Sequence, residues 1–445
     1  MYPAKRMHLV VFCIALPGAI AASVVTEAAI PLAGAAALVF SIMALDAVAC
    51  WRRSLTIGIA VAPHIRMYRG VECRFPLRIT GRAPVKGMVL ESRRTEVFFS
   101  RPVRFSCTKE NPTVLGEAAV MPLARGSWPL ISFSVQIESP LALWHRIFQV
   151  AVDAHAQVFA NNRSDLRELS GLYSGAMAGI HLQQALGRGR EVDKLREYVQ
   201  GDSMDDIHWK ATARHGRPIT KEYRIERSQN VYVVIDSSRS SRRVVDHLTI
   251  AGTAKKLPVP LIERSIIAAD MLSMVAARQA DRVGLMAFDD RVRLHLKPGI
   301  GAHHCNMCRN ALVGLQSSNV PADYREMFQF LATNIRRRAM ILILADFDDP
   351  FASENYAAYV HLLAQKHAVM GICPVGGQVA PLFSRPIGSQ EQMYGALSGH
   401  LKWRGLQKMR RVIRVKGSEI VTSTPHDLPS LAVKTYMSMK RRQIV

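Results

Sequence analysis

The second half of the chain constrains the fold most. Asn230 to Ile235 (NVYVVI), Arg282 to Phe288 (RVGLMAF), Ala339 to Ala345 (AMILILA) and Ala368 to Val375 are compact, almost wholly apolar runs that read as strands. Val292 to Leu296 alternates and adds another. Between them lie helical patterns. Leu261 to Ala280 places Ile262, Ile266, Ala269, Leu272 and Val275 on one face, and Cys305 to Leu315, Tyr324 to Arg336 and Tyr356 to Lys366 also read as helices. A strand with no polar face must be covered on both sides. The pattern therefore predicts a mostly parallel sheet with helices on both faces, an α/β (Rossmann-type) domain over 230–445 that ends in C-terminal helices.

In such sheets ligands bind beyond the carboxyl ends of the strands. The first strand ends in Asp236-Ser237-Ser238-Arg239-Ser240, and the strand 339–345 ends in Asp346-Phe347-Asp348-Asp349. Both acidic clusters are expected at one edge. Asp236, Ser238 and Ser240 form D-x-S-x-S, one carboxylate and two hydroxyls suited to a hard cation such as Mg²⁺, and Asp346 could hold one of its waters. The pattern resembles the metal-ion-dependent adhesion site of von Willebrand factor A domains. That resemblance implies Mg²⁺ at Asp236, Ser238 and Ser240, with Asp346 on the third loop. The family's second-loop Thr is replaced here by Ala322, with Ser317 and Ser318 nearby.

A dense charged motif precedes this region. It contains Gly187, Gly189, Glu191, Leu195, Arg196 and Tyr198, then Gly201 and Asp202, then Ile207, His208, Trp209, Ala213 and Arg214, with Glu226 and Arg227 before the first strand. Arg pairs with carboxylates and stacks on aromatic rings, so such an array can lock a segment down or face a partner. It resembles the hallmark of the bacterial family called domain of unknown function 58, with His208 where that family usually has Asp. The resemblance implies a membrane-anchored, non-enzymatic accessory protein. It would work as an assembly scaffold beside a MoxR-type AAA+ ATPase in maturation or stress tolerance of other proteins. The chain has no G-x-x-x-x-G-K-[ST] phosphate loop, so nucleotide chemistry would come from the partner.

The N-terminal half reads differently. Leu9 to Val25 and Ala28 to Leu45 carry no charge, and Lys5, Arg6, Arg52 and Arg53 flank them. Two runs of that length predict a transmembrane helical hairpin over 1–53 with both ends cytoplasmic, which places the protein in the bacterial inner membrane with the bulk of the chain inside. Residues 54–150 alternate and are punctuated by turns, predicting a β-rich, sandwich-like domain; 151–229 is read as a linker carrying the charged motif. Lys+Arg 58 against Asp+Glu 35 gives +23. Such a charge also suits nucleic acid, but no basic platform interleaved with aromatics is visible, so nucleic acid is the weaker alternative, alongside a metal-dependent hydrolase using Asp236 and Asp346. Seven scattered cysteines argue for reduced thiols. The His303-His304-Cys305-x-x-Cys308 cluster lacks the second ligand pair that a structural zinc site needs. Lys402 to Arg414 is a basic, helix-like run expected to pack on the sheet.

Overall fold

The computed structural model describes residues 2–10, 12, 29–55, 57–80, 87–89, 97–100, 113–168, 191–224, 228–249, 256–347, 350–382, 384, 386 and 388–442. The chain divides into two compact units: residues 1–161 with 249–257, and residues 162–248 with 258–445.

The first unit begins with β1 (Tyr2–Pro3), α1 (Lys5–Val10) and α2 (Ala29–Ser54). Two sheets follow. One has the order β1-β9-β8-β5, with β3 pairing β9; the other runs β2-β4-β7-β6. Their strands are β2 (Gly58–Ala60), β3 (His64–Tyr68), β4 (Cys73–Thr80), β5 (Gly87–Val89), β6 (Phe98–Ser100), β7 (Thr113–Pro122), β8 (Gly126–Glu138) and β9 (Trp144–Phe159). Alternation explains the packing. On β4, Phe75, Leu77 and Ile79 are buried while their neighbours Arg74, Pro76 and Arg78 are exposed. These side chains share one core with Ala118 and Val120 of β7, Phe133 and Val135 of β8, and Ala154 and Ala156 of β9. Two sheets contributing alternate residues to one core make a sandwich. Its strand β9 continues past residue 150 to Phe159.

The membrane expectation requires correction. Among the described residues no helix is long and apolar enough to cross a membrane. The expected hairpin over 1–53 is therefore not supported, and neither is the inner-membrane placement with two spans. Most of the first apolar run lies outside the described residues. The second falls in α2, whose C-terminal part is engaged with the β-sandwich. Asp46 is buried and accepts from the Leu141 N–H at 3.0 Å. The Trp144 indole donates to the Met43 carbonyl at 3.0 Å, and the Arg146 guanidinium lies 4.5 Å from the centre of the Trp51 ring. A count of uncharged residues cannot see these protein contacts.

The second unit opens with the charged motif folded as a small module. There β10 (Glu191–Glu197) pairs antiparallel with β11 (Ile219–Arg224), and α3 (Trp209–His215) lies between them in sequence. After β12 (Asn230–Asp236), β13 (Val244–Thr249) and β14 (Lys256–Pro260) pair with each other. The main sheet has the order β16-β15-β12-β17-β18-β19. Its other strands are β15 (Arg282–Phe288), β16 (Val292–Gly299), β17 (Ala339–Leu344), β18 (Ala368–Pro374) and β19 (Glu419–Ser423). Only the edge strand β16 is antiparallel; Ile235 of β12 stands opposite Ala287 of β15 and Leu344 of β17. The chain enters at β12, builds outward to β16, then returns to place β17 on the other side. The order reverses between β12 and β17, and such a reversal opens a crevice at the carboxyl ends.

The apolar strands are buried end to end, as their sequences require: all six residues of β17, and Val283 to Phe288 of β15. One face is covered by α6 (Tyr324–Asn334), α7 (Pro350–Tyr359), α8 (His361–Ala364) and α9 (Gln390–Val415), which join Val234, Met286, Ile341 and Ile343 in one core through Tyr324, Phe328, Tyr356, Leu363, Leu406 and Ile413. In α9 the basic run keeps Leu406, Met409 and Ile413 inward and leaves Lys402, Arg404, Lys408 and Arg411 exposed. The helix α4 (Leu261–Arg278) is buried almost throughout and packs against α5 (Gly301–Val313) and α10 (Leu428–Arg441). Its buried charges are paired: Arg264 with Asp165 at 3.2 Å, and Asp270 with Arg309 at 2.9 Å. At the amino edge of the sheet, fully buried Asp281 accepts from the Tyr436 hydroxyl, from Lys440 Nζ at 2.7 Å and from the Gln229 N–H at 3.0 Å, tying α10 to the start of β12.

Candidate functional site

The carboxyl edge of the main sheet gathers three aspartates. Asp236 ends β12, Asp346 follows β17, and Asp289 follows β15; each is at most 4 % exposed. β12 is hydrogen-bonded to both neighbours in parallel, so all three open at the same end. Asp236 and Asp346 are thus neighbours, as the sequence pattern requires. Asp289 was not singled out from sequence. Its signal was present: it follows an apolar strand as Asp346 does.

The loop after β12 is tightly bonded. Ser237 donates to the Phe288 carbonyl through its N–H and its hydroxyl, both at 2.8 Å, which clamps the loop to β15. The Ser238 N–H donates to Asp236 Oδ1 at 2.8 Å, and the Ser240 hydroxyl donates to Asp236 Oδ2 at 3.0 Å. The Ser238 and Ser240 hydroxyl oxygens stand 2.9 Å apart. The Ser241 hydroxyl donates to the Ser238 carbonyl at 2.7 Å within the short helical turn Arg239–Arg242. The second loop is laced to the first: the Arg239 N–H donates to the Val320 carbonyl and the Ser318 N–H to the Ser237 carbonyl, both at 2.8 Å. The Ser318 hydroxyl is also committed to the Ser237 carbonyl, at 3.2 Å. Ala322 packs its methyl against the core and offers no oxygen.

Each carboxylate has its own compensation. Arg243 Nη2 lies 3.1 Å from Asp346 Oδ2. Arg293 Nε lies 2.6 Å from Asp289 Oδ2, and the Arg291 N–H donates to Asp289 Oδ1 at 3.2 Å. Asp236 has hydroxyls and an N–H. Burial pushes its carboxyl above the ordinary range, against the hydrogen bonds from Ser238 and Ser240. For Asp289 burial works the same way, but hydrogen bonds from Asp290, Arg293 and the Arg291 backbone outweigh it and hold the carboxyl low. The fully buried Tyr324 hydroxyl is pushed well up, by burial first and then by the charges of Asp236 and Asp346.

One carboxylate and two hydroxyls on one loop are donors of the kind a small divalent cation takes. Mg²⁺ binds oxygen at about 2.0–2.1 Å in an octahedron, so adjacent ligand oxygens stand about 3 Å apart. The Asp236 Oδ2–Ser240 Oγ and Ser240 Oγ–Ser238 Oγ separations of 3.0 and 2.9 Å are hydrogen-bond distances, and they are also close to the edges of such an octahedron. Among the described residues no group of three His, Cys, Asp or Glu side chains is placed to hold a metal. The His303–Cys308 segment lies on α5, where His304 Nε2 is 2.6 Å from the Val283 carbonyl and burial pushes the Cys308 thiol to about 12.

In the upstream module, Arg196 Nη2 lies 2.6 Å from Asp202 Oδ1, while Asp202 Oδ2 accepts from the Val199 N–H at 3.0 Å. The Arg196 hydrogen bond leads in holding the Asp202 carboxyl below its usual range. His208 caps α3, its Nδ1 accepting from the Ala211 N–H at 3.1 Å, the task an Asp performs at a helix start. Leu195, Val199, Met204 and Trp209 are exposed. Gly187, Gly189, Glu226 and Arg227 lie outside the described residues, as do Asp348 and Asp349.

Residues 194–375 match the family model described as "Protein of unknown function DUF58". This part of the chain is thus similar to that family. The match takes in the motif from Leu195 onward and the sheet as far as β18; Gly187, Gly189 and Glu191 precede it. Curated relatives include the "Uncharacterized protein Rv1480" of Mycobacterium tuberculosis (strain ATCC 25618 / H37Rv) and Mb1516 of Mycobacterium bovis. Each is 23% identical over 200 residues, or 44% of this chain and 59% of the relative. The chain therefore spans 59% of the length of these relatives. Among solved structures, a PilB minor pilin mutant from Streptococcus sanguinis aligns at 11% identity over 80% of this chain and 88% of its own, with a TM-score of 0.33. An aerotolerance-related membrane protein from Bacteroides fragilis aligns at 11% identity over 48% of this chain and 100% of its own, with a TM-score of 0.28.

Proposed function

We propose that this chain is a non-enzymatic interaction module that captures another polypeptide at the carboxyl edge of its main sheet, with Mg²⁺ held by Asp236, Ser238 and Ser240. The observation that carries the reading is one carboxylate and two hydroxyls gathered within hydrogen-bond distance, placed where the strand order reverses. Bound there, the cation would supply an open coordination position for a partner's carboxylate. Asp346 would orient a water beside it. The loop hydrogen bonds hold Asp236, Ser238 and Ser240 in place before any ligand arrives. The exposed Leu195 and Trp209 of the family motif, with Val199 and Met204 between them in sequence, add apolar surface of the kind that marks a docking site.

The partner we propose is a MoxR-type AAA+ ATPase, as the family resemblance implies, with the pair acting in maturation or stress tolerance of other proteins. The test is binding of such a purified ATPase to the full chain, in Mg²⁺ and in EDTA. Asp236→Ala should abolish Mg²⁺-dependent binding while the chain stays folded. Binding unchanged by that substitution would remove the metal from the mechanism.

A further inference from the structure

We propose that Arg243 is a built-in competitor for the divalent cation: its guanidinium holds Asp346 until a cation, with its bound water, claims that carboxylate. The inference rests on the cation reading above and says how that site is regulated. Arg243 stands three residues beyond Ser240 on the same loop. Its backbone is fixed at both sides, its N–H donating to the Ser240 carbonyl at 3.3 Å and its carbonyl accepting from the Leu261 N–H at 2.9 Å. From there Nη2 reaches Asp346 Oδ2 at 3.1 Å and the Pro374 carbonyl at 3.1 Å. One guanidinium thus ties the cation-binding loop to the ends of β17 and β18.

Asp346 cannot rely on water, because only 5% of its side chain is exposed. A buried carboxylate needs a cation, and here the chain supplies one. The Arg243 side chain, by contrast, is 34% exposed, so water reaches part of it when it leaves Asp346 and the Pro374 carbonyl. A divalent ion at Asp236, Ser238 and Ser240 would bring a second positive centre to the same corner. The two cations repel and draw on the same carboxylate, so each weakens the other's hold on Asp346. Cation binding therefore releases the guanidinium to a rim where Arg239 and Arg242 are already exposed. Free guanidinium pairs carboxylates bidentately, so filling the metal site also readies the edge for an acidic partner.

The experiment titrates the full chain with Mg²⁺ by calorimetry and with Mn²⁺ by the spectrum of the free ion. Wild type is compared with Arg243→Gln, Arg243→Lys, Asp346→Asn and Asp236→Ala. Arg243→Gln should bind Mg²⁺ about tenfold more tightly, within the roughly 5–150-fold range of coupled sites. Arg243→Lys keeps the charge and should stay near wild type. In EDTA, Arg243→Gln should melt below wild type and recover when Mg²⁺ is added. Should that variant fail to fold, Asp346→Asn carries the test, because removing the contested charge must weaken Mg²⁺ binding and leave a further Arg243→Gln change without effect on that affinity. Equal affinity of wild type and Arg243→Gln, or weaker binding by Arg243→Gln, overturns the competitor while the cation reading stands. Binding that survives Asp236→Ala, or absent from every protein, overturns the cation reading and the competitor with it.

Discussion

Replacing Asp281 by Ala should destabilise the second unit severely and leave the carboxyl edge intact. Asp281 is fully buried between α10 and the start of β12, where it accepts from Tyr436, Lys440 and the Gln229 N–H. The substitution strands the Lys440 ammonium, whose side chain is 17% exposed, and the Tyr436 hydroxyl. Breaking a buried ion pair from one side costs about 3–5 kcal/mol. For a large domain 1 kcal/mol moves the melting point by about 2–4 °C, so the expected drop is roughly 6–20 °C. Circular dichroism melts and urea titrations of wild type and Asp281→Ala measure it. In an Lys440→Met background the same change should cost less, since no ammonium is left behind. Asp281 lies at the amino edge, so Mg²⁺ affinity of the folded variant should not change. A loss below about 1 kcal/mol, the worth of an ordinary hydrogen bond, would refute the reasoning.

His208→Ala should cost about 0.5–2 kcal/mol through the lost cap on α3, and His208→Asp should restore it, as read from urea midpoints. Burial first, then Lys366 and Arg338, pull the His367 pKa below its ordinary value, so the native state binds fewer protons there than the unfolded chain. The stability this gives is complete above about pH 6.5 and is lost as the pH falls toward the native value; His367→Phe should flatten that slope in melts taken across the window. A methyl at Gly399 would sit 1.9 Å from the Gln378 carbonyl oxygen, so Gly399→Ala should force the 376–379 turn off α9 and cost about 1–3 kcal/mol by thermal denaturation.

The strands of the main sheet were legible because burial on both faces leaves so little choice of residue. NVYVVI, RVGLMAF and AMILILA became β12, β15 and β17 within a residue at each end. The convergence of Asp236 and Asp346 followed from strand direction alone. The pairing of Arg243 with Asp346 did not, because it joins loops far apart in sequence and depends on which strands become neighbours. Asp289 escaped for the same reason. The pair β10–β11 is rich in charge, β13 and β14 are short, and neither pair carries an apolar alternation strong enough to stand out. The helix expected over 356–366 is instead two shorter pieces, α7 and α8, beginning at Pro350, a residue suited to a first helical turn. The membrane hairpin failed on composition: a run without charge can serve a protein surface as well as a bilayer, and α2 spends its C-terminal part on the β-sandwich.

The central claim is that polypeptide capture happens at the carboxyl edge of the main sheet. A photo-crosslinking residue at position 242, on the exposed rim beside Ser240, reports on that edge directly; one at position 336, exposed just before β17, reports on the amino edge. With a MoxR-type ATPase and Mg²⁺, the account predicts adducts from position 242 that vanish in EDTA, and none from position 336. Adducts from position 336, or adducts from both positions that ignore EDTA, would contradict it.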